Sequence, residues 1–264
     1  MTDLVVDPTP FLDTTEEDPA GPLIPLVVSL TFPGMDRGAH ELQDSFTRIA
    51  FDAVRAAGGR PRLVDSADPG REGQRELLEQ ASGVVFLGGG DVAGACYGYF
   101  GPPPANEYGV DRRADEFCIA AIRESVARDL PTLAICRGSQ LLAVACGGTL
   151  IGDIENWSLH RGRSPLFIDE EVLLEPGSEI ARILGRTRAI VRNGHHQAVA
   201  TIGPELRVSA RAHDGIIEGT EHRAASWVVG MQWHPEEPAA DPVDRARIFG
   251  ELVTRARDRA AHSA

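Results

Sequence analysis

Cys136 ends a short apolar run, Pro131-Thr-Leu-Ala-Ile135, and Arg137 and Gly138 separate it from a helical pattern over residues 139–146. The run reads as a strand, the pair as a sharp turn, and the rest as a helix with a thiol at its entry. Free backbone N–H groups and the helix dipole favour a thiolate at such a place, and a thiolate attacks carbonyl carbon. A cysteine in an apolar run is also an ordinary core residue; the strand-to-helix switch after it favours the nucleophile. Cys118 and Cys146 fall inside helical patterns and read as packing residues, as does Cys96 in a glycine-rich loop.

A thiol nucleophile needs a base, and a histidine base needs an acceptor to orient it. Gly230-Met-Gln-Trp-His234-Pro-Glu236 supplies both, just after a strand pattern. In extended backbone, residues i and i+2 face the same side, so Glu236 can hold one ring nitrogen of His234 while the other faces the thiol. A surface His and Glu in a proline turn is the bland alternative. Phe86-Leu-Gly88-Gly89-Gly90-Asp91 puts a glycine run after a strand, where backbone approaches a ligand closely and an N–H can meet an oxyanion. The N–H of Arg137 is the natural second donor; a plain turn uses the same glycines. Neither GxGxxG nor GxxxxGK[ST] is present, which argues against nucleotide binding. Asn193-Gly-His195-His196-Gln197 reads as a polar loop facing substrate, or as a plain surface loop. His195 and His196 with His234 and Glu236 would also make a zinc set, although no HExxH-like helix accompanies them.

The elements that must position these groups alternate. Residues 23–30, 62–64, 83–87 and 131–135 read as strands, residues 40–57, 71–80 and 114–128 as helices, and residues 88–113 as a long loop. Continuous apolar strands between helices indicate a parallel sheet covered on both faces, with its active site at the carboxyl ends of the strands. Cys136 sits at such an end. Short strand patterns follow at residues 168–174, 189–192, 206–210, 216–219 and 227–232, divided by Pro, Gly and Asp turns. Asp241 and Pro242 open a closing helix over residues 241–259. The fold class is α/β: an open, mostly parallel, flavodoxin-like sheet with helices on both faces, extended by antiparallel strands in the C-terminal half.

Composition bounds the partners. The chain has 264 residues, a formal net charge of −13 and 26 basic residues, every one an arginine. An acidic chain without basic clusters argues against nucleic acid and against an anionic membrane surface. Its four cysteines show neither CxxC nor zinc-type spacing and read as free thiols of a reducing compartment. The first basic residue is Arg37, and no apolar run approaches about 18 residues. A cytoplasmic enzyme is the expectation. Residues 1–21 read as an extended acidic N-terminal tail, and residues 22–264 as one domain.

Together the motifs resemble the class I glutamine amidotransferase-like superfamily, and within it the γ-glutamyl-γ-aminobutyrate hydrolase family. The resemblance rests on Ala134-Ile-Cys136-Arg-Gly138-Ser-Gln140, Gly147-Gly-Thr-Leu150, His195-His-Gln-Ala-Val199 and Val229-Gly-Met-Gln-Trp-His234-Pro-Glu236, in that order. It implies a Cys136, His234, Glu236 triad and a γ-glutamyl thioester resolved by water, with no cofactor or catalytic metal. Arg137 and Trp233 lean towards the stand-alone hydrolases. By resemblance, Gly90 and Arg137 form the oxyanion hole, with Gly90 preferred to Gly89. Gly89, Gln140, His195, His196 and Gln197 surround a small γ-glutamyl amide. A homodimer is the family habit. The Gly-Gly-Gly-Asp loop and Val191-Arg-Asn-Gly194 depart from the usual pattern, and the acidic N-terminus lies outside it. Arg137 either braces the turn through a fixed carboxylate, the favoured reading, or meets a substrate carboxylate. A glutaminase feeding ammonia to a separate synthetase, a metal hydrolase and a non-enzymatic binding protein are the rival readings.

Overall fold

The computed structural model describes residues 3–12, 19–68 and 70–263. Six strands and four helices make the N-terminal half and its seam: β1 (Leu23–Val28), α1 (Arg37–Ala56), β2 (Arg60–Asp65), α2 (Gln74–Glu79), β3 (Val84–Phe86), α3 (Arg112–Ala127), β4 (Thr132–Ile135), α4 (Arg137–Ala145), β5 (Thr149–Ile151) and β6 (Ile168–Leu174). Then come α5 (Glu179–Leu184), β7 (Arg188–Asn193), β8 (Ala198–Thr201), β9 (Leu206–Ala212), β10 (Ile217–His222), β11 (Val228–Met231) and α6 (Pro242–Ser263). The sheet order is β2-β1-β3-β4-β11-β10-β9-β6-β7, with β8 on β10 and β5 on β8. Strands β2, β1, β3, β4 and β11 are parallel, and every other pairing is antiparallel. This is the expected mixed α/β sheet.

Strand alternation sorts the apolar side chains into two cores. Ile24, Leu26, Val85, Leu133 and Ile135 face one side and pack with Phe51 and Val54 of α1 and Phe249 and Leu252 of α6. Val27, Val84, Phe86 and Ala134 face the other and pack with Ile122 of α3 and Leu141 and Leu142 of α4. Each fully buried Leu, Ile or Phe contributes roughly 1.5–3 kcal/mol of transfer free energy, so both faces must be covered. No helix among the described residues is long and apolar enough to cross a membrane.

Boundaries move where capping decides them. Asp36 accepts the Ala39 N–H at 2.8 Å, so α1 starts at Arg37 rather than at residue 40. Helix α4 starts directly after Cys136 rather than at Ser139. Short β5, α5 and β8 add to the expected elements, being too brief to show a period in the sequence. Residues 3–12, part of the expected extended tail, lie on the domain: Val6 and Phe11 are buried, Val6 N–H donates to Leu30 O at 2.9 Å, and residues 9–11 form a 3-10 turn. Residues 1, 2 and 13–18 of that tail lie outside the described residues.

Candidate active site

The central geometry follows from one pairing. Strands β4 and β11 are parallel neighbours in register, with Ile135 opposite Met231. Their next residues, Cys136 and Gln232, are thereby brought side by side although 96 residues apart in the chain. Cys136 N–H donates to Met231 O at 2.8 Å across the seam. His234 follows two residues beyond Gln232.

Cys136 has φ +51° and ψ −108°, a conformation that L residues rarely adopt. Such a residue costs on the order of 1–3 kcal/mol and persists only where its surroundings over-determine it. The strand bond to Met231 holds one side and Gln140 N–H on Cys136 O, at 3.1 Å, holds the other. Gly138 completes the turn, because a Cβ there would sit 2.3 Å from the carbonyl oxygen of Phe86. The thiol is thus presented at the first turn of α4, where the leading N–H groups lack intrahelical partners.

His234 is buried, with Nδ1 2.7 Å from Glu236 Oε1. Its ring is packed at 5.1 Å by both Phe46 and Phe167, and the backbone N–H of His234 donates to Arg192 O at 2.9 Å. Burial alone pulls an imidazolium's pKa down; here the charges of Cys136 and Glu236 and hydrogen bonds to both overrule it and hold the pKa up at about 10. The site therefore favours a proton on the imidazole while its neighbours are negative.

A cavity of about 580 Å³ opens over these groups. Gly88, Gly89, Cys136 and His234 form its floor, and Phe32, Phe46, Tyr108, Arg161, Arg163 and Phe167 its walls. A Cβ on Gly88 would lie 3.0 Å from His234 Cε1 and 3.7 Å from Cys136 Cβ, so the loop glycines are what let the backbone reach the thiol. Gly90 is not in this wall. A Cβ there would meet the Gly109 carbonyl oxygen at 2.2 Å, and the residue lines only a cleft of about 20 Å³ behind the thiol. The glycines lining the main cavity are Gly88 and Gly89, whereas Gly90, the sequence preference, borders the smaller cleft with Cys136.

Of the remaining expected substrate residues, Gln140, His195 and Gln197 are tied to protein partners, while His196 also borders a cavity of about 300 Å³ shared with Arg161 and Arg163. Gln140 is buried and donates to Gln197 O at 2.8 Å and to Gln232 Oε1 at 3.2 Å. Gln197 clamps the glycine loop through both amide atoms, accepting from Val92 N–H at 2.8 Å and donating to Val92 O at 3.3 Å. His196 lies between Asp91 and Asp153 at 3.1 and 3.2 Å. His195 bonds Gln197 O and Glu218, both at 3.1 Å. The His-His-Gln segment thus fixes the loop; Gly194 is its residue in the main cavity wall. The zinc set drawn from His195, His196, His234 and Glu236 is split between these separate partners.

The Arg137 side chain points away from the main cavity, into a buried ion pair with Asp115 at 2.7 Å. Asp115 also accepts the Ala93 N–H at 2.8 Å, tying α3 to both the cysteine turn and the loop after the glycines. This is the bracing arrangement. Gln232 escapes sequence reading although it lies within the His-Pro-Glu string. Its Nε2 donates to Cys136 Sγ at 3.5 Å while its oxygen accepts from Gln140. The signal that reveals it is strand register, which local patterns do not carry.

The peptidase C26 family model matches residues 22–236. A Mycobacterium tuberculosis protein, itself only provisionally assigned as a glutamine amidotransferase, is 35% identical over 78% of this chain, which spans 66% of that protein's length. The γ-glutamyl-γ-aminobutyrate hydrolase PuuD of Escherichia coli K12 is 29% identical over 77% of this chain and 83% of its own. The crystal structure of a Thermoplasma acidophilum protein, provisionally assigned to a GMP synthase, superimposes with a TM-score of 0.62 over 92% of this chain and 98% of its own. At 16% identity it speaks for the fold alone. The chain belongs to the peptidase C26 family, is similar to class I glutamine amidotransferase-like proteins, and is a hydrolase of amide bonds.

Proposed function

We propose that the enzyme hydrolyses a γ-glutamyl amide to glutamate and a free amine, through a γ-glutamyl thioester on Cys136. The observation that carries the reading is the Cys136 turn facing a buried His234 held by Glu236 at 2.7 Å, at the floor of a cavity. Cys136 sulfur adds to the γ-carbonyl carbon, its proton residing on His234. The oxyanion is received by the N–H groups of Gly89 and Arg137; losing one such donor typically costs about 2.7–4 kcal/mol of barrier. The C–N bond breaks as His234 protonates the amine. Water then loses a proton to His234 and attacks the thioester carbonyl, and the thiol is restored with that proton. Gln232 steadies the sulfur and Glu236 the ring.

The cavity walls support an acidic substrate. Arg161 and Arg163 form no ion pair among the described residues and lie over the rings of Tyr108 and Trp157 at 5.4 and 5.7 Å. They are placed to receive carboxylates, the α-carboxylate of the glutamyl half and one on the amine half, as γ-glutamyl-γ-aminobutyrate carries. The test is product formation over a panel of γ-glutamyl amides with acidic, neutral and basic amines. Preference for the acidic amine supports the reading, and turnover of glutamine alone would replace it with an ammonia-supplying glutaminase. Undiminished turnover by Cys136→Ser would remove the mechanism.

A further inference from the structure

Away from the thiol, four side chains from separate parts of the chain converge in the antiparallel half. His160 follows the 3-10 turn Trp157–Leu159, Glu170 lies on β6, His195 follows β7, and Glu218 lies on β10. One ligand atom from each lies within 4.8 Å of all the others. His160 and Glu218 are fully buried and His195 is nearly so. We propose that these four residues form a closed, structural site for a divalent transition-metal ion, with zinc the favoured occupant.

The orientation of each group points to a cation between them. His195 Nδ1 lies 3.1 Å from the backbone carbonyl of Gln197. A carbonyl only accepts, so Nδ1 carries a hydrogen and leaves Nε2 as the nitrogen that can ligate a metal. Nε2 faces Glu218 Oε1 at 3.1 Å, a nitrogen–carboxylate pair that either a proton or a metal ion between them would join. His160 repeats the pattern. Its Nε2 is anchored on Asp214 at 3.0 Å, and its Nδ1 turns inward to Glu170 at 3.1 Å and towards Glu218 at 3.7 Å. An imidazole whose outer N–H is fixed by a carbonyl or carboxylate is how metal-ligating histidines are oriented. The carboxylates are oriented too, since Asn193 Nδ2 donates to Glu170 at 2.6 Å and to Glu218 at 3.1 Å.

Two imidazole nitrogens and two carboxylate oxygens suit Zn²⁺ in a tetrahedron, with distances near 2.0–2.2 Å after a small contraction. Four protein ligands leave no open position, so the ion would be structural and separate from the thiol chemistry. Its effect would be to fasten the segment leading into Arg161 and Arg163 to the His-His-Gln loop that clamps the glycines. None of the four residues is adjacent in sequence to another, which is why no motif announces the set. The site stands apart from the proposed reaction and does not depend on it.

The test uses the full chain, stripped with a strong chelator, then dialysed against ZnCl2 and desalted. About one zinc per chain by elemental analysis, a raised Tm, and intense visible Co²⁺ bands on cobalt loading are expected for four-coordinate binding. His160→Gln and Glu218→Gln should lose the metal, and His213→Gln, at an exposed histidine outside the set, should keep it. The wild-type cobalt spectrum decides the matter even where a variant fails to fold. Wild-type protein that holds no zinc after loading and gives no cobalt bands would overturn the site. Full zinc retention by folded His160→Gln and Glu218→Gln would also overturn it.

Discussion

Replacing Asp115 by alanine tests what holds the cysteine turn. Arg137 and Asp115 are 5% and 0% exposed and 2.7 Å apart, so the substitution strands a guanidinium where water does not reach. An uncompensated buried charge costs about 3–5 kcal/mol. The same carboxylate accepts the Ala93 N–H, and orphaning that donor costs about 1–3 kcal/mol more. Relaxation will recover part of that sum, so a loss of about 3–5 kcal/mol is expected, a large share of a typical total of about 5–15 kcal/mol. The double variant Asp115→Leu/Arg137→Met removes both charges and should recover most of it, leaving about 1–3 kcal/mol from the Ala93 amide. Urea titration of wild type, singles and double gives the coupling directly. KM should be little changed in whatever folded fraction remains, because the Arg137 side chain does not line the main cavity. A loss below about 1 kcal/mol in Asp115→Ala, or a raised KM at unchanged stability in Arg137→Met, refutes the bracing role.

Gly138→Ala should destabilise by at least the upper end of the about 1–3 kcal/mol of overpacking, since its Cβ would meet Phe86 O at 2.3 Å; urea midpoints read this. Gln232→Leu removes the donor to Cys136 Sγ, and a hydrogen bond to a charged group is worth about 1.5–3 kcal/mol. Alkylation of Cys136 and kcat/KM should then both fall by roughly 10- to 150-fold while KM holds. The His234 pKa is raised from 6.5 to about 10, so its proton stabilises the fold fully below pH 6.5, and that contribution fades as pH rises towards 10. Urea midpoints across this window should decline in wild type and be flatter in Glu236→Gln; equal slopes would contradict the assignment.

Much of the fold was legible because it is local. The apolar runs of β1, β3 and β4, and the turn residues between the later strands, specify their elements without reference to anything distant. The thiol, the histidine and the glutamate were legible as types, since Cys136 stands at a strand-to-helix switch and His234 and Glu236 stand two residues apart just after a strand; the segment joining them is a turn, not extended backbone. What local patterns do not carry is adjacency. That β11 inserts beside β4, bringing Gln232 onto the thiol, is a property of sheet order. For the same reason Gln140, His195, His196 and Gln197 read as substrate-facing polar residues. Their partners, Gln232, Glu218, Asp91 and Val92, are remote in sequence, and only the fold turns an apparently open loop into a buried clamp. The glycine run was ambiguous internally, and in the fold Gly90 packs on Gly109 while Gly88 and Gly89 line the main cavity.

Covalent catalysis by Cys136 is tested by mass spectrometry of enzyme quenched in acid during turnover of a γ-glutamyl amide. A thioester mechanism requires an added glutamyl residue on the peptide containing Cys136, labile to hydroxylamine and absent from Cys136→Ser. Turnover with no adduct at any time point, or an adduct on another residue, would contradict it.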